Sequence, residues 1–522
     1  MKKLKKFKKK ETHLDDDLIP TFQEFYSKLY ADHHPTMDSL TKEALVEAAD
    51  SLADNSSENP NELLNSPFTP EELSSAISGL KNGKASSFDH ISNEMIKALP
   101  PKFKNAILLL FNSCLSSGSY FWGKSVITPI HKKGCLTNPD NYRAIAVCSC
   151  IGKLLSTMLL SRLILHRATN NPDPPNQSGF CKGRQCNDHI FTLLTIMEKY
   201  KRVKGKIYAT FIDLRKAFDL VCRQALLFKL ACYGVDGGFY RILKDMYSDS
   251  QGHIKINGKL SEAFRLLKGT EQGHPLSPEL FKVYFKELSE QLNRATTNCP
   301  TLNGLTISHL AWADDLVILA LDQKSLQKQL SIIEDYCKKW GLEINVSKTK
   351  YMVLNSTLKG AGDWRPAIND NKLELVDTYC YLGILISSKG KFTEATNALY
   401  KKALGALFGL WSTIDRRFID PSSLDKLFRS LIQPIATYGC QVWLPTLPLT
   451  KQILKEVSTS GDLVNSLKKI SSLPAEKVHL RHLKFLLGIG KKATNATAWG
   501  ETGKLPLLID CYKLCIKYFT IE

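Results

Sequence analysis

Residues 307–321 read ISHLAWADDLVILAL, a nearly continuous apolar run that two adjacent acids, Asp314 and Asp315, interrupt. Short apolar runs bounded by turn residues predict buried strands, so we expect two strands with the acids at the turn between them. Turn chemistry alone is one explanation, because the short Asp side chain bonds nearby backbone and tolerates unusual dihedrals. Two like charges beside a core are costly unless a cation is bound, so the stretch also predicts a further carboxylate nearby.

A third carboxylate follows a second apolar run, in KIYATFIDLRKAFDLV at residues 206–221. Here Asp213 stands at the end of a predicted strand, and the residues after it are predicted to turn into a helix that Asp213 could simply cap. Together with Asp314 and Asp315, we favour three carboxylates that bind two Mg²⁺ ions, with Mn²⁺ as an alternative. Paired ions activate an attacking hydroxyl and stabilise the leaving oxygen in phosphoryl transfer, as in polymerases and nucleases.

Composition indicates a globular protein with a polyanionic partner. The chain has 522 residues, 43% of them hydrophobic, and a net charge of +19, of which seven charges come from the lysines of residues 1–10. Excess Lys and Arg bind phosphates by displacing counterions, which makes nucleic acid the first candidate and an anionic membrane surface the second. No apolar run is long enough to span a bilayer and no signal sequence is recognisable, so we predict an intracellular protein, in the nucleus, the cytoplasm or both.

The pattern along the chain predicts an α+β fold. Residues 1–60 read as a basic and polar tail and linker, and the globular pattern begins with a predicted helix capped by Thr69, with Pro70 at its first position. Strand-like segments and long amphipathic helices then alternate irregularly, which favours α+β over a regular βαβ array. Beyond about residue 390 the pattern is mostly helical.

The order of the motifs resembles the reverse transcriptases of non-LTR (LINE-type) retrotransposons from about residue 65 to near the C-terminus. Eight blocks carry the resemblance. They are LKNGKASSFDHISNEMIK (80–97), WGKSVITPIHKKG with NPDNYRAIAV (122–147), NQSGFCKGRQCNDHI (176–190), FIDLRKAFD (211–219), EQGHPLSPELF (271–281), AWADDLVILA (311–320), GLEINVSKTKYMV (341–353) and YCYLGILI (379–386).

The resemblance implies an RNA-directed DNA polymerase with a right-hand fold. Its partners would be an RNA template, a DNA or RNA primer whose 3′ hydroxyl is extended, and dNTPs. The implied divisions are fingers and their preceding motifs at 61–190, a palm at 191–390, and a helical thumb and C-terminal region at 391–522.

The resemblance also implies roles for single residues. Asp213, Asp314 and Asp315 would hold the metal ions, and Lys348 would protonate the leaving pyrophosphate, although neighbouring Lys350 competes for that role. Phe218 would exclude a ribose 2′-hydroxyl, unless it is only a core residue. Cationic and backbone contacts to the nucleotide are implied for Lys132, Lys133, Arg143, Gln272 and Gly273, and a primer grip for Tyr381, Leu382 and Gly383.

Departures from the family pattern leave alternatives open. Trp312, His274, Ala144 and the SSFDH sequence replace more usual residues, so a catalytically weak or inactive relic that only binds nucleic acid is one alternative. A group II intron or retron type reverse transcriptase is another. The first sixty residues are too few for an endonuclease and the C-terminal region lacks a Cys/His set, so we expect a separate endonuclease or another element-encoded protein to nick the target.

Overall fold

The computed structural model describes residues 18–33, 37–55, 60–414, 418–448, 450, 452–453 and 463–520. The lysine-rich run at residues 1–10 lies outside these ranges. Helices and strands alternate irregularly along the chain, so the predicted mixed α+β architecture is confirmed. None of the described helices is both long and apolar enough to cross a membrane.

The helices of the first 340 residues surround two sheets. They are α1 (Ile19–Leu29), α2 (Ser39–Asn55), α3 (Glu62–Asn65), α4 (Pro70–Ser78), α5 (Asn93–Ala98), α6 (Pro101–Ser117), α7 (Cys150–Asn170), α8 (Cys186–Arg202), α9 (Arg223–Cys232), α10 (Gly237–Ser248), α11 (Ser277–Arg294) and α12 (Gln323–Trp340).

The described C-terminal part of the chain consists of helices. Its helices are α13 (Thr393–Thr413), α14 (Pro421–Leu427), α15 (Gln433–Ala436), α16 (Cys440–Trp443), α17 (Leu463–Ser472), α18 (Pro474–Leu487), α19 (Asn495–Thr502) and α20 (Leu507–Phe519).

Two five-stranded sheets organise the chain. The N-terminal sheet has the order β2-β1-β4-β5, with β6 also paired to β4, and comprises β1 (Lys124–His131), β2 (Tyr142–Cys148), β4 (Gln251–Ile256), β5 (Lys259–Leu260) and β6 (Phe264–Arg265). The central sheet has the order β14-β11-β3-β10-β9 and comprises β3 (Ile207–Ile212), β9 (His309–Trp312), β10 (Asp315–Ala320), β11 (Lys350–Leu354) and β14 (Glu374–Leu375).

Three two-stranded hairpins accompany these sheets. They are β7 (Thr301–Leu302) with β8 (Leu305–Thr306), β12 (Ala367–Ile368) with β13 (Asn371–Lys372), and β15 (Thr378–Tyr381) with β16 (Ile384–Ser387).

The central sheet is buried on both faces, which explains the nearly continuous apolar sequence of β10. Leu316 and Ile318 enter a core that includes α11 and α12, whereas Val317 and Leu319 enter a second core with α8, β15–β16 and the C-terminal helices. All four are at most 1% exposed, and each such side chain contributes roughly 1.5–3 kcal/mol through burial. This double packing fixes the strand ends that carry the acids.

The N-terminal segment differs from the predicted tail and linker. Within residues 1–60, α1 and α2 are helices, and Phe22 and Tyr26 of α1 are buried against the N-terminal sheet. The many charged residues of this segment obscured an apolar stripe at helical spacing. Helix α4, in contrast, begins where the sequence predicts, because Thr69 and Glu72 form a reciprocal capping box and Pro70 follows the cap.

Candidate active site

The ends of β3 and β10 bring the three predicted acids to one place. The two strands are antiparallel, and Leu316 pairs with Ile212, so Asp213, which follows β3, and Asp315, which begins β10, lie at the same end of the sheet. Asp213, Asp314 and Asp315 line one open cleft of about 2400 Å³.

The turn between β9 and β10 holds Asp314 in a constrained hairpin. Trp312 pairs with Asp315, which leaves Ala313 and Asp314 as the two loop residues. Ala313 has a left-handed backbone (φ 57°), at a position where hairpins of this kind usually have glycine. Contacts from outside the hairpin therefore stabilise the left-handed backbone of Ala313.

That support comes from residues 176–179. Gln177 Oε1 accepts hydrogen bonds from the backbone N–H groups of Ala313 (3.1 Å) and Gly179 (3.0 Å), and Ser178 N–H donates to Ala311 O at 3.0 Å. A Cβ atom on Gly179 would lie 2.2 Å from Ala313 N, so only glycine permits this approach. We did not assign a function to Gln177 from the sequence, although it lies in one of the quoted family blocks.

The three acids are electrostatically unfavourable together. Burial raises the pKa of Asp314, and the nearby Asp213 adds to the effect. The pKa of Asp315 is raised to about 6, first by the loss of water around it and then by Asp314 and Asp213. A divalent cation would relieve this repulsion, and all-oxygen donors suit Mg²⁺. In the present rotamers, however, no three His, Cys, Asp or Glu side chains of the described residues are arranged to hold a metal ion.

The loop before β11 places the two candidate lysines differently. Lys348 lines the cleft, and its Nζ lies 3.6 Å from Asp213 Oδ2. Lys350 is directed elsewhere, because its Nζ donates to Glu374 Oε2 at 2.7 Å. The loop is tied to β3 by Asn345 N–H, which donates to Asp213 O at 2.8 Å.

Cationic side chains from the N-terminal sheet also line the cleft. Lys132, just after β1, and Arg143 on β2 are among the lining residues, whereas Lys133 is not. Burial and the neighbouring Arg143 lower the pKa of Lys132. Lys132 and Arg143 line the same cleft as the three acids, which provides a binding place for a polyphosphate with bound metal ions.

Residues 215–220, here called the gate loop, form turns rather than the predicted helix, and α9 begins only at Arg223. Lys216 has a left-handed backbone (φ 44°), which interrupts helical geometry. Phe218 lies at the cleft, and its half-buried ring stacks on Phe281 of α11 with centroids 4.3 Å apart. The ring therefore has one face packed on α11 and borders the cleft.

Gln272 and Gly273 lie against the N-terminal sheet at the cleft. Ala146 N–H on β2 donates to Gln272 O at 2.8 Å. Gly273 has φ 112°, and a Cβ atom there would lie 2.8 Å from Ala146 O, so backbone approach requires glycine irrespective of any ligand. The next residue, His274, is buried and lies 3.1 Å from Ser156 Oγ; burial lowers its pKa to about 3, so it is a neutral core residue.

Leu382 and Gly383 form the turn of the β15–β16 hairpin, directly after Tyr381 at the end of β15, and these three residues are not among those that line the cleft. Tyr381 is 3% exposed, and its hydroxyl lies 3.2 Å from His189 Nδ1. The same histidine ring contacts Trp312 edge to face at 5.8 Å. The unusual Trp312 is thus part of the packing beneath the acidic hairpin.

Comparison with known proteins identifies the same region. The reverse transcriptase (RNA-dependent DNA polymerase) family matches residues 130–386. The RNA-directed DNA polymerase from mobile element jockey of Drosophila melanogaster is 25% identical over 403 residues, which are 73% of this chain and 43% of that protein.

Further relatives come from other mobile elements. The probable RNA-directed DNA polymerase from transposon BS of Drosophila melanogaster is 25% identical over 72% of this chain and 42% of its own length. A retrovirus-related Pol polyprotein from type-1 retrotransposable element R2 of Popillia japonica is 30% identical over 37% of this chain and 33% of its own length. The chain thus spans less than half the length of these relatives.

Proposed function

We propose, on the premise that this chain belongs to the reverse transcriptases of non-LTR (LINE-type) retrotransposons, that it extends a DNA or RNA primer on an RNA template. The observation that carries the proposal is the cleft, in which three strand-end carboxylates face Lys132 and Arg143. Nucleotidyl transfer uses acids that bind metal ions and cations that bind phosphates, and this cleft contains both. In this assignment the N-terminal sheet belongs to the fingers, the central sheet to the palm and α13 onward to the thumb.

Two Mg²⁺ ions held by Asp213, Asp314 and Asp315 would activate the primer hydroxyl and stabilise the leaving oxygen. The raised pKa values of Asp314 and Asp315 support this assignment, because burial and then repulsion by the neighbouring acids disfavour their charged forms, which a bound cation would stabilise. For metal ions to bind, Asp213 must give up its ion pair with Lys348 and instead bind a metal ion that it shares with the other two acids.

The remaining residues of the cleft would bind and select the nucleotide. Arg143 and Lys132 would contact the triphosphate, with Lys133 further out, and Gln272 and Gly273 would border the base. Phe218 would exclude a 2′-hydroxyl by steric contact, since its stacking on Phe281 prevents the ring from moving away. Lys348, once released by Asp213, would donate a proton to pyrophosphate. The turn at Tyr381, Leu382 and Gly383 would hold the primer.

Primer extension tests the proposal. Purified protein should extend a DNA primer on an RNA template with dNTPs and Mg²⁺, and Asp314→Asn should reduce the rate by about 10³-fold or more, because several kcal/mol of metal stabilisation are lost. Asp335→Asn is the matched control, since Asp335 is an exposed residue of α12 and should retain full activity. Template binding should persist in both variants. A parent protein that binds template without extending the primer would instead support the binding-only relic.

A further inference from the structure

Helix α1 and the residue after it contact the gate loop. Phe25 and Tyr30 are the two side chains that reach it, while Phe22 and Tyr26 anchor the helix in the core of the N-terminal sheet. The backbone of Tyr30 is also bound, because Leu267 N–H donates to Tyr30 O at 3.0 Å. The N-terminal helix is therefore fixed both to the sheet and to the loop that carries Phe218.

The first contact holds the start of the gate loop. Lys216 Nζ lies 4.1 Å from the centroid of the Phe25 ring and 2.8 Å from Asp140 Oδ1. A cation over an aromatic face and beside a carboxylate is held in place from two directions. This contact constrains Lys216, the residue whose left-handed backbone sets the course of the loop.

The second contact continues to the nucleotide side of the cleft. The Tyr30 hydroxyl donates to Asp219 Oδ1 at 2.9 Å, and Gln272 Nε2 donates to Asp219 Oδ2 at 3.4 Å. Asp219 is only 5% exposed. Burial raises its pKa to about 6, and the Tyr30 hydrogen bond opposes that rise, so Asp219 is a carboxylate at neutral pH and accepts both bonds.

Asp219 directly follows Phe218, and the backbone of the gate loop leaves both residues little freedom. Thr270 N–H donates to Phe218 O at 2.9 Å, and a Cβ atom on Gly269 would lie 2.7 Å from Asp219 O. The constrained backbone between Phe218 and Asp219 therefore ties the position of the Phe218 ring to the Asp219 carboxylate, which also holds the Gln272 amide.

We propose that Tyr30 and Asp219 are positioning residues for the incoming nucleotide: the N-terminal helix, through this pair, sets the places of Phe218 and Gln272. The inference rests on the proposed polymerase function. It gives α1 a role in shaping the nucleotide pocket. It also predicts that the choice between dNTP and rNTP depends on Tyr30, which does not touch the nucleotide.

The test compares two tyrosines of the same helical segment. Tyr30→Phe removes the hydroxyl that binds Asp219, whereas Tyr26→Phe removes a buried hydroxyl that has no hydrogen-bond partner among the described residues. A hydrogen bond to a charged acceptor is among the stronger ones, so Tyr30→Phe should raise KM for dNTPs about three- to ten-fold, with kcat within about two-fold of the parent. It should also lower dNTP-over-rNTP discrimination by a similar factor, and Tyr26→Phe should match the parent.

The outcomes separate this inference from the proposed function. If the parent extends primers and Tyr30→Phe has the KM and discrimination of Tyr26→Phe, the positioning role is wrong. If the parent extends no primer, the proposed function has failed first. Asp219→Asn is the second variant, because its amide can no longer accept from both Tyr30 and Gln272; it should change KM and discrimination in the same direction, and unchanged values would also overturn the inference.

Discussion

Two charged clusters in this protein have opposite electrostatics. The acidic cluster lines the cleft and consists of Asp213, Asp314 and Asp315. The balanced cluster joins α7, α11 and the loop after α7, and consists of Arg167, Asp173, Glu279 and Lys282. The first has a surplus of like charge, whereas the second contains two cations and two anions.

The pKa values of the acids in the two clusters shift in opposite directions. Burial alone would raise the pKa of Asp173, but Arg167 and Lys282 outweigh it and lower that pKa below its ordinary value. The pKa of Asp315 moves upward instead, to about 6. In the balanced cluster the charges compensate one another within the fold, whereas the acidic cluster has three like charges in an open cleft, which favours the binding of a cation there.

Breaking the balanced cluster should have the largest effect on stability. Glu279 contacts both Arg167 and Lys282, and its side chain is 5% exposed. Glu279→Gln keeps the shape but leaves buried cations undercompensated, so the free energy of unfolding should fall by about 3–5 kcal/mol. Urea titration followed by circular dichroism measures the change.

Glu290→Gln is the control for that loss. Glu290 lies on the same helix, but its ion pairs with Lys286 and Arg294 are 3.8 and 4.0 Å long and partly exposed. Such pairs contribute little, so the control should lose less than about 0.5 kcal/mol. Equal losses in the two variants would show that the balanced cluster has no special structural role.

Relieving the acidic cluster should have a smaller effect of the opposite sign. Without divalent ions at about pH 7.5, Asp315→Asn should raise the melting temperature by roughly 1–2 °C, because one repelling charge is gone. The folded-state pKa of Asp315 is about 6, above the roughly 3.9 of an unfolded Asp. Its contribution to stability is therefore present at low pH and is lost as the pH rises through about 6.

The difference between variant and parent should consequently shrink as the pH is lowered to about 5, where the parent protonates Asp315 itself. Melting curves across this range in EDTA measure it, with the exposed-site variant Asp335→Asn as the control. Added Mg²⁺ should then stabilise the parent more than Asp315→Asn, since ligand binding to the folded state raises stability. A difference that is constant with pH would contradict the raised pKa.

Parts of the site with a local sequence signal could be predicted, whereas parts that depend on distant residues could not. The hairpin acids and Asp213 were predictable because their signal is local: apolar strand residues followed at once by an acid. The different positions of Lys348 and Lys350 were not predictable, since they depend on Glu374, 24 residues after Lys350, which pairs with Lys350. Nor was the form of the gate loop, where a helical sequence is overridden by a left-handed Lys216 and by backbone pairing of Phe218 with Thr270.

Helix α1 was missed for a related reason. Only Phe22 and Tyr26 of its residues are buried, and the stretch before it is rich in charge. The partners that make the helix necessary, the N-terminal sheet and Asp219, lie about 100 to 240 residues away. The apolar spacing of a segment does not disclose distant partners of this kind.

The smallest expected effect concerns the backbone beneath the acidic cluster. Ala313 has φ 57°, which costs a non-glycine residue about 1–2 kcal/mol, whereas glycine adopts it freely but costs about 0.5–1 kcal/mol more to order on folding. Ala313→Gly should therefore raise the free energy of unfolding by up to about 1 kcal/mol. Ala295→Gly, at an ordinary φ of −64°, should lower it by about 0.5–1 kcal/mol. Parallel urea titrations compare them, and equal losses would show that the Ala313 turn is unstrained. Primer extension by Ala313→Gly should stay within about two-fold of the parent, since Gln177 still accepts the residue 313 N–H and keeps Asp314 in place.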